Sequence, residues 1–151
     1  MNKNMLKNNN VKVKLDSVAH NPSTKFLKLA YWNARSINNK KICLYDYLAN
    51  QNIDFLCLSE TWLSDKSDPE NMNNVTTNAI LPEGFSINHV PRTDGRDGGG
   101  VGFISNKMVD AKVDIFLVNQ NYKQFESMTV LLKFNNFAVY ISVVYRPRLQ
   151  K

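Results

Sequence analysis

The chain of 151 residues has only two cysteines, two histidines, five prolines and six glycines, and it contains no long apolar run. Each shortage excludes something. Cys43 and Cys57 fall in apolar surroundings without metal-ligand spacing. They read as buried thiols of a reducing compartment, and a disulfide or a zinc site is not expected. No stretch of about 18 consecutive apolar residues occurs, so no membrane-spanning helix is expected. The opening residues, MNKNMLKNNNVKVK, lack the apolar centre of a signal peptide. Without such a signal, Asn74-Val75-Thr76 is a glycosylation sequon in form only.

Net charge is also scarce once it is located. Residues 1–28 hold six lysines against one aspartate, while the remainder carries thirteen basic and twelve acidic side chains. The basic balance therefore lies in a tail. A nearly neutral body gives no argument from charge for nucleic-acid binding. Residues 1–24 are rich in Asn and Lys and close on Pro22 and Ser23. They have too little apolar surface to offset the entropy of ordering and read as a disordered basic leader. The functional alternative is a basic arm that touches nucleic-acid backbone.

What remains is enough for one domain over residues 25–151, because 43% hydrophobic and 11% aromatic residues can build a core. The stretch 54–63, DFLCLSETWL, organises it. Phe55-Leu56-Cys57-Leu58 is too short for a helix core and suits a strand buried on both faces, and Glu60 stands at its carboxyl end. Open α/β sheets place ligand sites at such strand ends. The alternative is an ordinary solvated Glu.

Residues 25–33, KFLKLAYWN, predict an earlier strand that ends on Asn33. A helix follows, capped by Ser36 or Asn38, with Ile42, Tyr45, Leu48 and Ala49 at helical spacing. Strand–helix–strand with a right-handed crossover puts both strands in one sheet, so Asn33 and Glu60 share an edge.

Residues 61–84 are a long polar insert, a kind of loop that tends to be functional or mobile. Residues 85–91 form a short strand, with His89 read as a structural or surface residue. The run from Thr93 to Gly100 could cradle a phosphate. It lacks the Lys-Ser/Thr of a P-loop and opens no helix, so it reads as a hairpin whose glycines permit close backbone approach. Residues 112–118, 125–134 and 137–145 predict three more strands, the last two a hairpin about Asn135-Asn136, which tolerate positive φ.

Four motifs then fall in order: YWNARSI around Asn33, LCLSETWL around Glu60, GGGVGFIS, and VVYRP around Tyr145. Together they resemble the endonuclease/exonuclease/phosphatase superfamily, in its apurinic-endonuclease-like branch from non-LTR retrotransposons (jockey- and CR1-like elements). The resemblance spans roughly residues 26–147. It implies a four-layered α/β sandwich and magnesium-dependent hydrolysis of DNA phosphodiesters. Asn33 would orient the metal or the scissile phosphate, Glu60 would ligate the metal, and Tyr145 would sit beside the phosphate. Magnesium takes few protein oxygens and keeps several waters, so one or two carboxylates with a phosphate oxygen suffice. Glu126 reads equally as a supporting carboxylate or as a solvated strand residue.

The family pattern also includes an Asp-x-Asn pair and a late Ser-Asp-His, and this sequence contains neither. His20 and His89 do not lie in fitting contexts. The expectation is therefore the N-terminal half of the sandwich, with a mixed, mainly antiparallel sheet present and its partner sheet absent. As a truncated endonuclease domain the chain is expected to bind magnesium poorly, to leave DNA uncut, and to self-associate through an exposed sheet. The alternatives are a non-catalytic remnant with a weak nucleic-acid-binding or structural role, and a phosphoesterase on small substrates. An intracellular, nuclear location follows if the domain belongs to an active element.

Overall fold

A computed structural model describes residues 9–14 (as backbone), 26–63, 80–92, 98–119 and 124–147. The described residues fold into two β-sheets and one α-helix. Strands β1 (Asn9–Lys14), β2 (Phe26–Asn33), β3 (Phe55–Ser59), β4 (Phe85–Val90) and β5 (Val101–Asn106) make a sheet in the order β1-β2-β3-β5-β4. Only β2 and β3 run parallel. Strands β6 (Lys112–Asn119), β7 (Glu126–Lys133) and β8 (Ala138–Tyr145) form a second, antiparallel sheet.

Strand β1 lies inside the stretch expected to be a disordered leader. Its Val-Lys alternation has the period of a strand, and its backbone pairs antiparallel with β2. Residues 1–8 and 15–25 lie outside the described residues, as do 64–79 of the polar insert (with the sequon) and 93–97 of the glycine-rich turn.

The helix α1 (Lys41–Gln51) follows a 3₁₀ turn at Asn38–Lys40 and ends on Asn52 in the left-handed region (φ 48°). Neither Ser36 nor Asn38 caps it; its N-cap is Lys40, with no side-chain hydrogen bond. Its buried face is also rotated from the expected one. Leu44 and Leu48 point inward, while Ile42, Tyr45 and Cys43 are exposed. The physical reason is that Ile37, just ahead of the helix, is fully buried and fixes the stripe that continues through Leu44 and Leu48.

Two cores result. Leu56, Leu58 and Ile104 of the first sheet pack against Ile37, Leu44 and Leu48. The opposite face brings Phe55, Cys57 and Phe103 against Met128, Val130, Leu132 and Val143 of the second sheet. The expected absence of a partner sheet is thus corrected. The alternation Met128-Val130-Leu132 gives β7 an apolar face beyond Glu126, and that face packs the second sheet on the first. Burial pushes the Cys57 thiol up to about 12.

The β7–β8 hairpin turns at Asn135-Asn136 as expected, yet neither asparagine has positive φ. The Phe134 amide donates to the Phe137 carbonyl (2.9 Å) and their rings stack at 4.4 Å, so the turn closes without a left-handed residue. Among the described residues no helix is long and apolar enough to cross a membrane.

Candidate metal-binding and phosphodiesterase site

Parallel register sets Asn33 beside Ser59, so the next residue on β3's path, Glu60, emerges next to Asn33. Counting outward equally from the Asn135-Asn136 turn makes Glu126 the partner of Tyr145. All four residues gather at one end of the sandwich.

Glu60 is the hub. Its Oε1 accepts a hydrogen bond from Asn33 Nδ2 (3.0 Å) and another from the Tyr145 hydroxyl (2.9 Å). The three residues named from the sequence are therefore in direct contact. Both bonds fall on one carboxylate oxygen, and among the described residues none is recorded to Oε2. Asn33 Oδ1 is buried and has no hydrogen-bond partner. Exchanging the amide's nitrogen and oxygen would set that oxygen against the carboxylate, so the orientation is fixed by charge. The Tyr145 phenol is held above its usual range by burial first, then by the hydrogen bond to Glu60 and its charge. It stays a neutral donor.

The backbone that presents Glu60 is strained and laced down. Arg35, Ser36, Glu60 and Trp62 all have positive φ (44°, 76°, 52° and 54°), a conformation that costs roughly 1–3 kcal/mol per residue and persists only where the surroundings enforce it. Here the enforcement is a row of amides. Ala34 N donates to Ser59 O (2.8 Å), Ser36 N to Glu60 O (2.9 Å) and Ile37 N to Thr61 O (3.0 Å). On the other side Thr61 N and Trp62 N donate to the carbonyls of Gly100 (3.3 Å) and Gly99 (2.9 Å). Gly100 has φ +84° and a Cβ there would lie 2.5 Å from Thr61 Oγ1, so no other residue fits. The glycine run works as the close-approach hairpin expected of it.

Glu126 anchors this lacework and is not a solvated strand residue. It forms an ion pair with Arg92, and its Oε2 accepts the Gly100 amide (2.5 Å). Both side chains are largely buried, 16% and 9% exposed. Sequence reasoning missed Arg92 and the partnership. The hairpin register was the signal that could have placed Glu126 beside Tyr145, whereas nothing local links Arg92 to it.

The described residues thus form a two-sheet α/β sandwich with a carboxylate, an amide and a phenol gathered at its strand ends. The chain belongs to the Endonuclease/Exonuclease/phosphatase family, whose model matches residues 30–148. Its fold is similar to the crystal structure of AP endonuclease LMAP from Leishmania major (TM-score 0.58, 17% identity, 79% of this chain and 40% of that one). A humanized D. rerio TDP2 carrying 14 mutations matches more distantly (TM-score 0.46, 16% identity, 78% of this chain and 49% of that one). The chain thus spans two fifths to one half of the length of these proteins. No curated protein matches the sequence.

Members of this family generally depend on a divalent metal. Among the described residues no group of three or more His, Cys, Asp or Glu side chains could hold one. Glu60 and Asn33, in contact through their side chains and with Asn33 Oδ1 orphaned, nonetheless offer hard oxygen donors, the type that magnesium takes in small numbers. The residues fit the ion.

Proposed function

We propose that this chain contributes the metal-holding side of a magnesium-dependent DNA endonuclease, from a non-LTR retrotransposon. The observation that carries the reading is the shared acceptor. Asn33 and Tyr145 donate to a single oxygen of Glu60, which orients the carboxylate, while Asn33 Oδ1 is left without a partner. Glu60 and Asn33 would hold the ion, which when bound supplies positive charge to a phosphate and its leaving oxygen. Asn33 keeps a second Nδ2–H for the phosphate, and Tyr145, whose one proton goes to Glu60, is a neutral group that does not repel the anion. Glu60 supplies charge, and the lacework keeps it from turning away. The fold likeness to an AP endonuclease supports this reading, as do the wordings NARS and ETWL.

The sequence holds neither Asp-x-Asn nor Ser-Asp-His, the segments that would activate the attacking water. The chain alone therefore binds magnesium weakly and does not cut. A nuclear location accompanies the reading if the parent element is active. Self-association would use the outer face of the second sheet, where Phe116, Tyr140 and Val144 are exposed.

The test is plasmid nicking with magnesium, by the chain and by a protein extended through Asp-x-Asn and Ser-Asp-His segments of a longer relative. The extended protein should nick and the chain should not. An extended protein that hydrolyses small phosphoesters but leaves DNA intact would favour a phosphoesterase.

A further inference from the structure

Each of the three strand exits that supplies a site residue also supplies an exposed one just beyond it. Arg35 follows Asn33, Trp62 follows Glu60, and Arg146 follows Tyr145. Trp62 stands out among them. A tryptophan 48% exposed presents a large apolar surface to water, while its neighbours Thr61 and Leu63 are buried. It is also held in a left-handed backbone (φ 54°), which a bulky residue adopts only under constraint.

The constraint is visible. Trp62 N donates to Gly99 O at 2.9 Å, and Gly98 lies so close that a Cβ there would come within 2.9 Å of the indole Cε2 and Nε1. The ring is seated on bare backbone on one side and is open on the other. Gly98 itself has φ +78°, so the seat requires glycine twice over. An exposed aromatic ring fixed two residues from Glu60 has the properties of a stacking platform. Arg35 and Arg146 are exposed and make no ion pair among the described residues.

We infer that Trp62 is a stacking platform for an unpaired nucleobase beside the scissile phosphate, with Arg35 and Arg146 meeting the flanking phosphates. The substrate is then a nucleic-acid strand whose stacking is broken near the cut. A small phosphoester would leave the platform unused. This rests on the endonuclease reading for the identity of the phosphate, but it is tested by binding alone.

The experiment uses the full chain with Trp32 changed to Phe, so that Trp62 is the only indole. It is titrated in EDTA and low salt with single-stranded oligothymidylate and with a matched duplex. The single strand should quench Trp62 fluorescence at lower concentration than the duplex does. In the otherwise native chain, Trp62→Leu should weaken single-strand binding roughly tenfold to a hundredfold, followed by anisotropy of a labelled strand, and Trp62→Phe should restore most of it. Arg146→Ala should reduce the salt slope by about 0.7. Binding without quenching, equal binding by Trp62→Leu, or no binding by the native chain would each overturn the inference. Quenching with no nicking by the extended protein would instead sink the endonuclease reading and leave the platform standing.

Discussion

Glu60 and Glu126 stand at the same end of the sandwich, one leaving the five-stranded sheet and the other entering the three-stranded one. Glu126 is satisfied on both oxygens, by the Arg92 guanidinium and by the Gly100 amide. Among the described residues Glu60 meets two neutral donors, both on one oxygen. A carboxylate neutralised by a buried cation has little left to offer a metal. A carboxylate oriented by an amide and a phenol has no cation on it among the described residues. On the function proposed above, Glu126 braces the site and Glu60 serves it, and each substitution should separate the two roles.

The largest effect is expected from Glu126→Ala. It removes the carboxylate of a largely buried ion pair with Arg92 and should lower stability by about 3–5 kcal/mol, measured by urea unfolding. A loss under 1 kcal/mol would show that Arg92 is solvated and that Glu126 holds nothing. Next comes Glu60→Gln in the extended domain, expected to cut the nicking rate by roughly 10²–10³ while the melting temperature stays put. A Gln side chain still accepts from Asn33 and Tyr145, so only the charge is lost.

Tyr145→Phe is milder. It removes one hydrogen bond to Glu60 and should cost about 1 kcal/mol. Its pH signature has a definite sign. The folded phenol is raised above its ordinary value, so its contribution is complete below about pH 10 and fades as pH climbs through the raised value. The Phe variant should lack that part of the alkaline loss. Cys57 behaves alike, with its neutral-thiol contribution complete below 9.0 and lost toward about 12. The smallest contrast is between the thiols: exposed Cys43 should react with iodoacetamide in the native state, and Cys57 only after unfolding.

Much of this was legible because local patterns carried it. The buried run Phe55–Leu58 and the strand–helix–strand order forced Asn33 and Glu60 to one sheet edge, and the Asn135-Asn136 hairpin fixed the last two strands. What escaped depended on distant partners. The α1 periodicity points to Ile42 and Tyr45, but Ile37, outside the helix, decides the buried face. The same residue leaves Cys43, apolar in its sequence surroundings, exposed. The partner sheet escapes a local reading, since nothing nearby in sequence says that Met128, Val130 and Val143 meet Phe55 and Phe103. The Arg92–Glu126 pair joins two sheets, so neither side chain's surroundings in sequence announce it.

The central claim is that Glu60, and not Glu126, is the carboxylate a metal chooses. Manganese is a paramagnetic stand-in that shares magnesium's preference for oxygen donors, and its titration into the labelled chain can be followed by amide NMR line broadening. Broadening should centre on Asn33, Glu60 and Thr61, persist in Glu126→Gln and vanish in Glu60→Gln. Broadening that survives Glu60→Gln and disappears with Glu126→Gln would contradict the account.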